Sequence, residues 1–258
     1  MCLILFAHRA HPDYPLVIAA NRDENYQRPT AQAAFWLDES HILAGRDLEG
    51  MGTWLGVTRD GRFAALTNFR DPREAKSGAP SRGRLVGDFL ASCAAPRKYL
   101  EQVRDEAALY NGFNLLLGDA SGVFYFSSRE AAPRQLPPGI YGLSNHLLDT
   151  PWPKVTQGKS RLAGVLEKGV EADKLLELLD DRSLAADASL PDTGVGLERE
   201  RVLSSALIVS PLYGTRASTV ILLNRNGEVD FTERTILPHG IHAETLRYRF
   251  TLSEGQAA

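Results

Sequence analysis

The chain opens Met1-Cys2-Leu3-Ile4-Leu5-Phe6-Ala7-His8, turns through His11-Pro12-Asp13-Tyr14-Pro15, and resumes as Leu16-Val17-Ile18-Ala19-Ala20-Asn21-Arg22-Asp23-Glu24. Cys2–Ala7 and Leu16–Ala20 are short and almost continuously apolar. A strand with one wetted face would alternate, so this lack of alternation predicts two strands buried on both faces. The Pro-Asp-Tyr-Pro turn folds them against each other, and the polar stretch Arg22–Ala31 is expected to run as a loop over the sheet end. The opening thus places two strands in the middle of a layered structure.

Further strands are expected at Thr53–Thr58 and Arg62–Thr67, where Gly61 supplies the positive φ of a hairpin turn. Others fall at Phe113–Leu117, Val123–Phe126, Ile140–Leu143, Ala206–Val209, Ala217–Leu223 and Glu228–Thr232. Apolar residues at helical spacing mark Arg84–Ala91, Pro96–Tyr110, Lys154–Glu167 and Ala172–Asp180 as helices. Hairpins separated by pairs of helices do not match the regular βαβ alternation of a parallel sheet. They predict antiparallel sheets with helices packed outside, an α+β fold. No repeat or linker divides the 258 residues, and one domain over 1–258 is expected.

Composition excludes several classes. The chain is 43% hydrophobic with a formal net charge of −3, so a general nucleic-acid binder is not expected. No apolar run approaches the ~20 residues of a membrane-spanning helix. The apolar start ends at His8-Arg9, too early for a secretion signal. With only two cysteines, Cys2 and Cys93, a cytoplasmic protein without disulfides is the expectation. His8 and His11 do not make a metal site without further ligands, so neither metal nor cofactor is expected. Cys93, beside Phe89 and Leu90, is assigned to the core. Trp36, Trp54 and Trp152 could line an apolar pocket or fill the core.

Cys2 carries the chemistry. Removal of Met1 would leave a thiol and an α-amine on one residue. An α-amine titrates near 8, so it can accept the thiol proton and serve as general base for its own nucleophile. Asp23, just past the second strand, could anchor that amine, and Arg22 could lower the thiol pKa.

The Met-Cys start, Asn21-Arg22-Asp23-Glu24, Gly52-Thr53-Trp54-Leu55-Gly56, Leu66-Thr67-Asn68-Phe69-Arg70, Ser81-Arg82-Gly83, Leu143-Ser144-Asn145 and Tyr213-Gly214-Thr215-Arg216 together resemble the NRDE family, whose eukaryotic members are called transport and Golgi organisation proteins. That family is grouped with the N-terminal nucleophile hydrolases, and the chain is thereby similar to choloylglycine hydrolase and penicillin V acylase. The resemblance implies a four-layer αββα sandwich of antiparallel sheets. It implies an N-terminal cysteine amidohydrolase acting on a linear amide, a non-peptide C–N bond, of a small molecule. Cys2 matches the nucleophile, Asp23 the aspartate near the α-amine, Asn68 the oxyanion-hole asparagine, Asn145 the second active-site asparagine and Arg216 the late arginine. The acylases carry an arginine a few residues before the aspartate; here Arg22 is adjacent to Asp23, and alternation along a strand turns the two to opposite faces. Arg22, Arg70 and Arg82 are candidates for binding an anionic group of the substrate. The alternative is a non-enzymatic protein of haem trafficking or acyl-lipid binding that uses the same cleft.

Overall fold

A computed structural model describes residues 2–253. Two antiparallel sheets stack face to face, each covered by helices. The first sheet contains β1 (Cys2–His8), β2 (Leu16–Asn25), β10 (Gly139–Leu143), β11 (Tyr213–Leu223), β12 (Glu228–Leu237) and β13 (Ile241–Thr251), in the order β10-β1-β2-β11-β12-β13. The second contains β3 (Thr30–Phe35), β4 (Ile42–Asp47), β5 (Leu55–Thr58), β6 (Phe63–Asn68), β7 (Phe113–Asp119), β8 (Gly122–Ser127) and β9 (Arg134–Gln135), laid out in sequence order.

Strand parity sorts the core into three layers. Ile4, Phe6, Ile18 and Ala20 turn inward and meet Leu43, Val57, Ala65 and Leu116 of the facing sheet. Leu3, Leu5, Val17 and Ala19 turn outward onto α3 (Pro153–Lys168) and α4 (Ala172–Leu179). On the far side, Ala64, Leu115 and Leu117 pack against α1 (Gly83–Ala91) and α2 (Pro96–Glu106). The order is helix, sheet, sheet, helix, the αββα sandwich expected from the family resemblance. Every residue of β1 is buried, which accounts for its unbroken apolar run.

Several boundaries differ from expectation. Arg22–Ala31 is not a loop: β2 continues to Asn25 and β3 begins at Thr30. The polar end of β2 stays extended because its backbone is paired: Arg22 with both Cys2 and Ala217, and Asp23 to Asn25 with Thr215 to Tyr213 of β11. Ala206–Val209 is not a strand; the segment is apolar because Leu207 and Ile208 are buried, and only Val209 forms an isolated bridge, to Gly214. Cys93 lies exposed just beyond α1, not in the core. The three tryptophans are all buried. The expected hairpin turn is present, with Gly61 at φ +85°.

Candidate active site

The two sheets part at one end to leave a cavity of about 560 Å³, bordered by Cys2, Arg22, Asp23, Asn68, Arg82 and Arg216 among others. Its floor follows from register. Cys2 pairs with Arg22, Arg22 with Ala217, and Ala217 with Thr235, so these four form one row across the sheet. At the usual strand spacing that row spans roughly 14 Å, with the thiol at one end. Cys2 is only 7% exposed, yet it borders the cavity.

The Asn21–Glu24 motif divides by parity. Asn21 faces the helix layer, where its amide donates to the carbonyls of Leu179 and Ala206 at 2.9 Å and its oxygen accepts from Ser218 at 2.6 Å. Asp23 faces the same way and accepts from the Thr215 hydroxyl at 2.7 Å. Burial pushes the Asp23 carboxyl up, against the opposing pull of Lys154 and the Thr215 hydrogen bond. Arg22 and Glu24 border the cavity on the other face. Arg22 thus shares the cavity with the thiol through cross-strand pairing, not through adjacency to Asp23. Burial pushes the Cys2 thiol up and Asp23 adds to that; Arg22 and the Asp23 backbone N–H pull it back.

The opposite wall carries Asn68 at the end of β6. Among the described residues its side-chain amide makes no hydrogen bond, while its backbone carbonyl accepts from Asn145 Nδ2 at 3.0 Å. Asn145 is 1% exposed and does not border the cavity. Instead it braces the site: the Ser144 hydroxyl donates to the Cys2 carbonyl at 3.2 Å and to Asn145 Oδ1 at 3.3 Å. Ser144 and Asn145 therefore hold the backbone beneath both Cys2 and Asn68.

Arg70 is also absent from the cavity. It is buried in an ion pair with Glu200 at 3.2 Å, its guanidinium 4.5 Å from the Trp152 ring centroid. Glu200 further accepts from the Thr193 N–H and hydroxyl at 2.9 and 2.6 Å, so the pair is anchored away from the cavity. Arg82, at the N-terminus of α1, does border the cavity, donating to the Gly112 carbonyl at 2.9 Å. Arg216 sits on the bulge of β11 and donates to the carbonyls of Arg28 and Asn25 and to Thr30 Oγ1. Gly214 leads into that bulge, and a Cβ there would stand 2.1 Å from the Tyr26 hydroxyl.

Three participants escaped the sequence reading. Arg28 binds Asp47 through two hydrogen bonds of 2.5 and 3.1 Å. Burial opposes the Asp47 charge, but Arg28 and the Gly50 N–H outweigh it and hold the carboxyl below the usual range. Glu233, 5% exposed, accepts from the Ala33 N–H at 2.7 Å and from Thr219 at 3.3 Å; burial pushes its carboxyl up. Lys154, 5% exposed, donates to the Leu203 carbonyl at 2.9 Å, and burial pulls its ammonium down to about 8. Lys154 was detectable: it occupies the first position of the stripe 154, 158, 162, 166 that α3 buries, where an apolar residue is the rule. Glu233 gave no signal, because its role depends on β3, which was not expected.

Among the described residues no group of three or more His, Cys, Asp and Glu could hold a metal, and no helix is long and apolar enough to cross a membrane.

Fold and site together define the class: a four-layer αββα sandwich whose second residue is a cysteine bordering an inter-sheet cleft. The chain belongs to the family described as Transport and Golgi organisation 2, which matches residues 1–238. It is similar to the Transport and Golgi organization 2 homolog of Mus musculus, 39% identical over 279 residues that cover 98% of this chain and 99% of the relative. The Homo sapiens homologue is 40% identical over 275 residues, with the same coverage. Among solved structures, the Caenorhabditis elegans N-acylethanolamine-hydrolyzing acid amidase ortholog aligns with a TM-score of 0.49 at 11% identity, over 86% of this chain and 92% of that one.

Proposed function

We propose that the protein is an N-terminal cysteine hydrolase that cleaves a linear amide of a small anionic molecule. The observation that carries this reading is that Cys2, although buried among strand partners, borders a cavity of about 560 Å³ together with Arg22, Asn68 and Arg82.

The chemistry follows from these groups. Burial disfavours the thiolate, so the thiol needs a base at hand. Excision of Met1 provides the Cys2 α-amine, with Asp23 behind it as its anchor. The amine takes the thiol proton, the sulfur attacks the amide carbon, and the carbonyl oxygen becomes an oxyanion facing the Asn68 amide. The C–N bond then breaks, the leaving amine takes the proton held by the α-amine, and a thioester remains. Water attacks the thioester, releasing a carboxylic acid and restoring the thiol. Arg22, Arg82 and Arg216 supply positive charge for an anionic group on the substrate.

Intact-mass measurement and iodoacetamide labelling at pH 7 test the reading. Loss of Met1, with Cys2 alkylated faster than the exposed Cys93, is the expected result. Retained Met1, or a Cys2 slower than Cys93, overturns it.

One observation favours a second reading, that of a carrier for an anionic ligand such as haem or an acyl lipid. Five arginines border the cavity, and among the described residues Arg82 and Arg216 have no carboxylate partner. Stoichiometric binding unchanged in Cys2→Ala, with no turnover of any acyl amide, would support the carrier.

A further inference from the structure

Lys154 lies behind the nucleophile, on the face of the sheet turned away from the cavity. It stands in the first turn of α3, is 5% exposed, and donates to a neutral carbonyl, that of Leu203, at 2.9 Å. Capping one carbonyl does not account for an ammonium here. A neutral donor would do it, whereas burying an unpaired ammonium costs several kcal/mol. The nearest compensation comes from the sheet. Asp23, 1% exposed, points to this same layer and is held in place by Thr215 at 2.7 Å. Asp23 and Lys154 face each other from β2 and α3, each the largest opposing influence on the burial of the other.

We propose that Lys154 is a positioning residue: its charge keeps the Asp23 carboxylate ionised and in place, so that Asp23 can hold the Cys2 α-amine against the thiol. This rests on the hydrolase reading given above. It adds a cation that acts through Asp23 and never touches the substrate.

The groups facing this pair are few. Cys2 on β1 and Glu24 on β2 lie on the cavity face of the sheet, and their charges act on the pair through it. Tyr213 on β11 also faces Asp23, while Arg70 and Glu200 face Lys154 from the loop after β6 and from α5 (Leu197–Val202). Arg70 and Glu200 are already paired with each other, so Asp23 and Cys2 are left as the partners that the Lys154 charge serves.

The test is the pH profile of Cys2 alkylation by iodoacetamide, read by peptide mass in a Cys93→Ser background. Lys154→Gln keeps a donor for the Leu203 carbonyl and removes the charge. Losing a nearby cation raises the pH at which the thiol reacts, and alkylation at pH 7 is expected to slow about tenfold. Lys154→Arg, which restores the charge, is expected to recover most of the rate. Thermal melting shows which variants are folded; if Lys154→Gln does not fold, the Lys154→Arg profile decides, and one displaced as far as that of Lys154→Met overturns the proposal. A folded Lys154→Gln protein with the wild-type profile also overturns it, leaving the hydrolase reading intact. Retained Met1 in the wild type overturns both.

Discussion

At the scale of single residues, the site is built from side chains that are tied down and side chains left free. Asn21 and Asn145 have their amides engaged by protein partners and hold backbone in place, and Arg70 is buried against Glu200. Asn68 is the opposite case. Asn68→Ala removes an amide that no described residue uses, so its melting temperature is expected to move by less than about 2 °C. Turnover of any acyl amide that the wild type cleaves should fall about 10²–10³-fold, the usual loss of one oxyanion donor. Steady-state kinetics beside calorimetry checks this; equal loss of both would make Asn68 a structural residue. Of the residues named from the family motifs, Cys2, Arg22, Asp23, Asn68, Arg82 and Arg216 border the cavity. Arg70 and Asn145 were legible only as polar residues near the right place. Whether a side chain faces the cavity or braces its wall depends on partners such as Glu200 and Ser144, which are remote in sequence. Lys154 was visible as a charge in an apolar stripe, but the role proposed for it depends on Asp23 facing the same helix layer, which the sequence does not show.

At the scale of elements, legibility followed burial for most strands, β4 excepted, which is buried over its first four residues and was not expected. β1 and β2 were read because both faces of each are covered, and the same holds for β7 and β8. β13 was missed because it is an edge strand whose residues are largely exposed, leaving no apolar pattern to detect. β3 was missed because it carries a bulge and presents polar residues to the cavity, so its sequence resembles that of a loop. The mount of α1 rests on a close approach of backbones. A Cβ on Gly52 would lie 2.3 Å from the Gly83 carbonyl carbon and 2.4 Å from its oxygen, which accepts from the Thr53 N–H. Gly52→Ala must therefore lift the start of α1, with Arg82, away from the cavity. Forced overpacking of this kind costs about 1–3 kcal/mol, so melting by calorimetry is expected to fall by roughly 3–10 °C. An unchanged melting temperature would mean that α1 is not seated there.

At the scale of the whole molecule, the central sheet joins the two ends of the chain. β2 pairs with β1 on one side and with β11, some two hundred residues later, on the other. Neither end can bury its apolar faces without the other. A chain ending at Ser210 lacks β11, β12 and β13 and leaves β2 as an unpaired edge; it is expected to show no cooperative thermal transition by circular dichroism. A sharp transition would mean that the remainder folds without that pairing. For the proposed hydrolase, the same pairing sets a schedule for maturation. Once β1 is in place, the backbone of Cys2 is paired with Arg22 and its carbonyl receives the Ser144 hydroxyl. A peptidase cannot draw that bond into its own cleft without unzipping the ladder. The proposed nucleophile consequently requires that the leading methionine be trimmed from the nascent polypeptide at the ribosome, and a copy that escapes it there stays blocked for life.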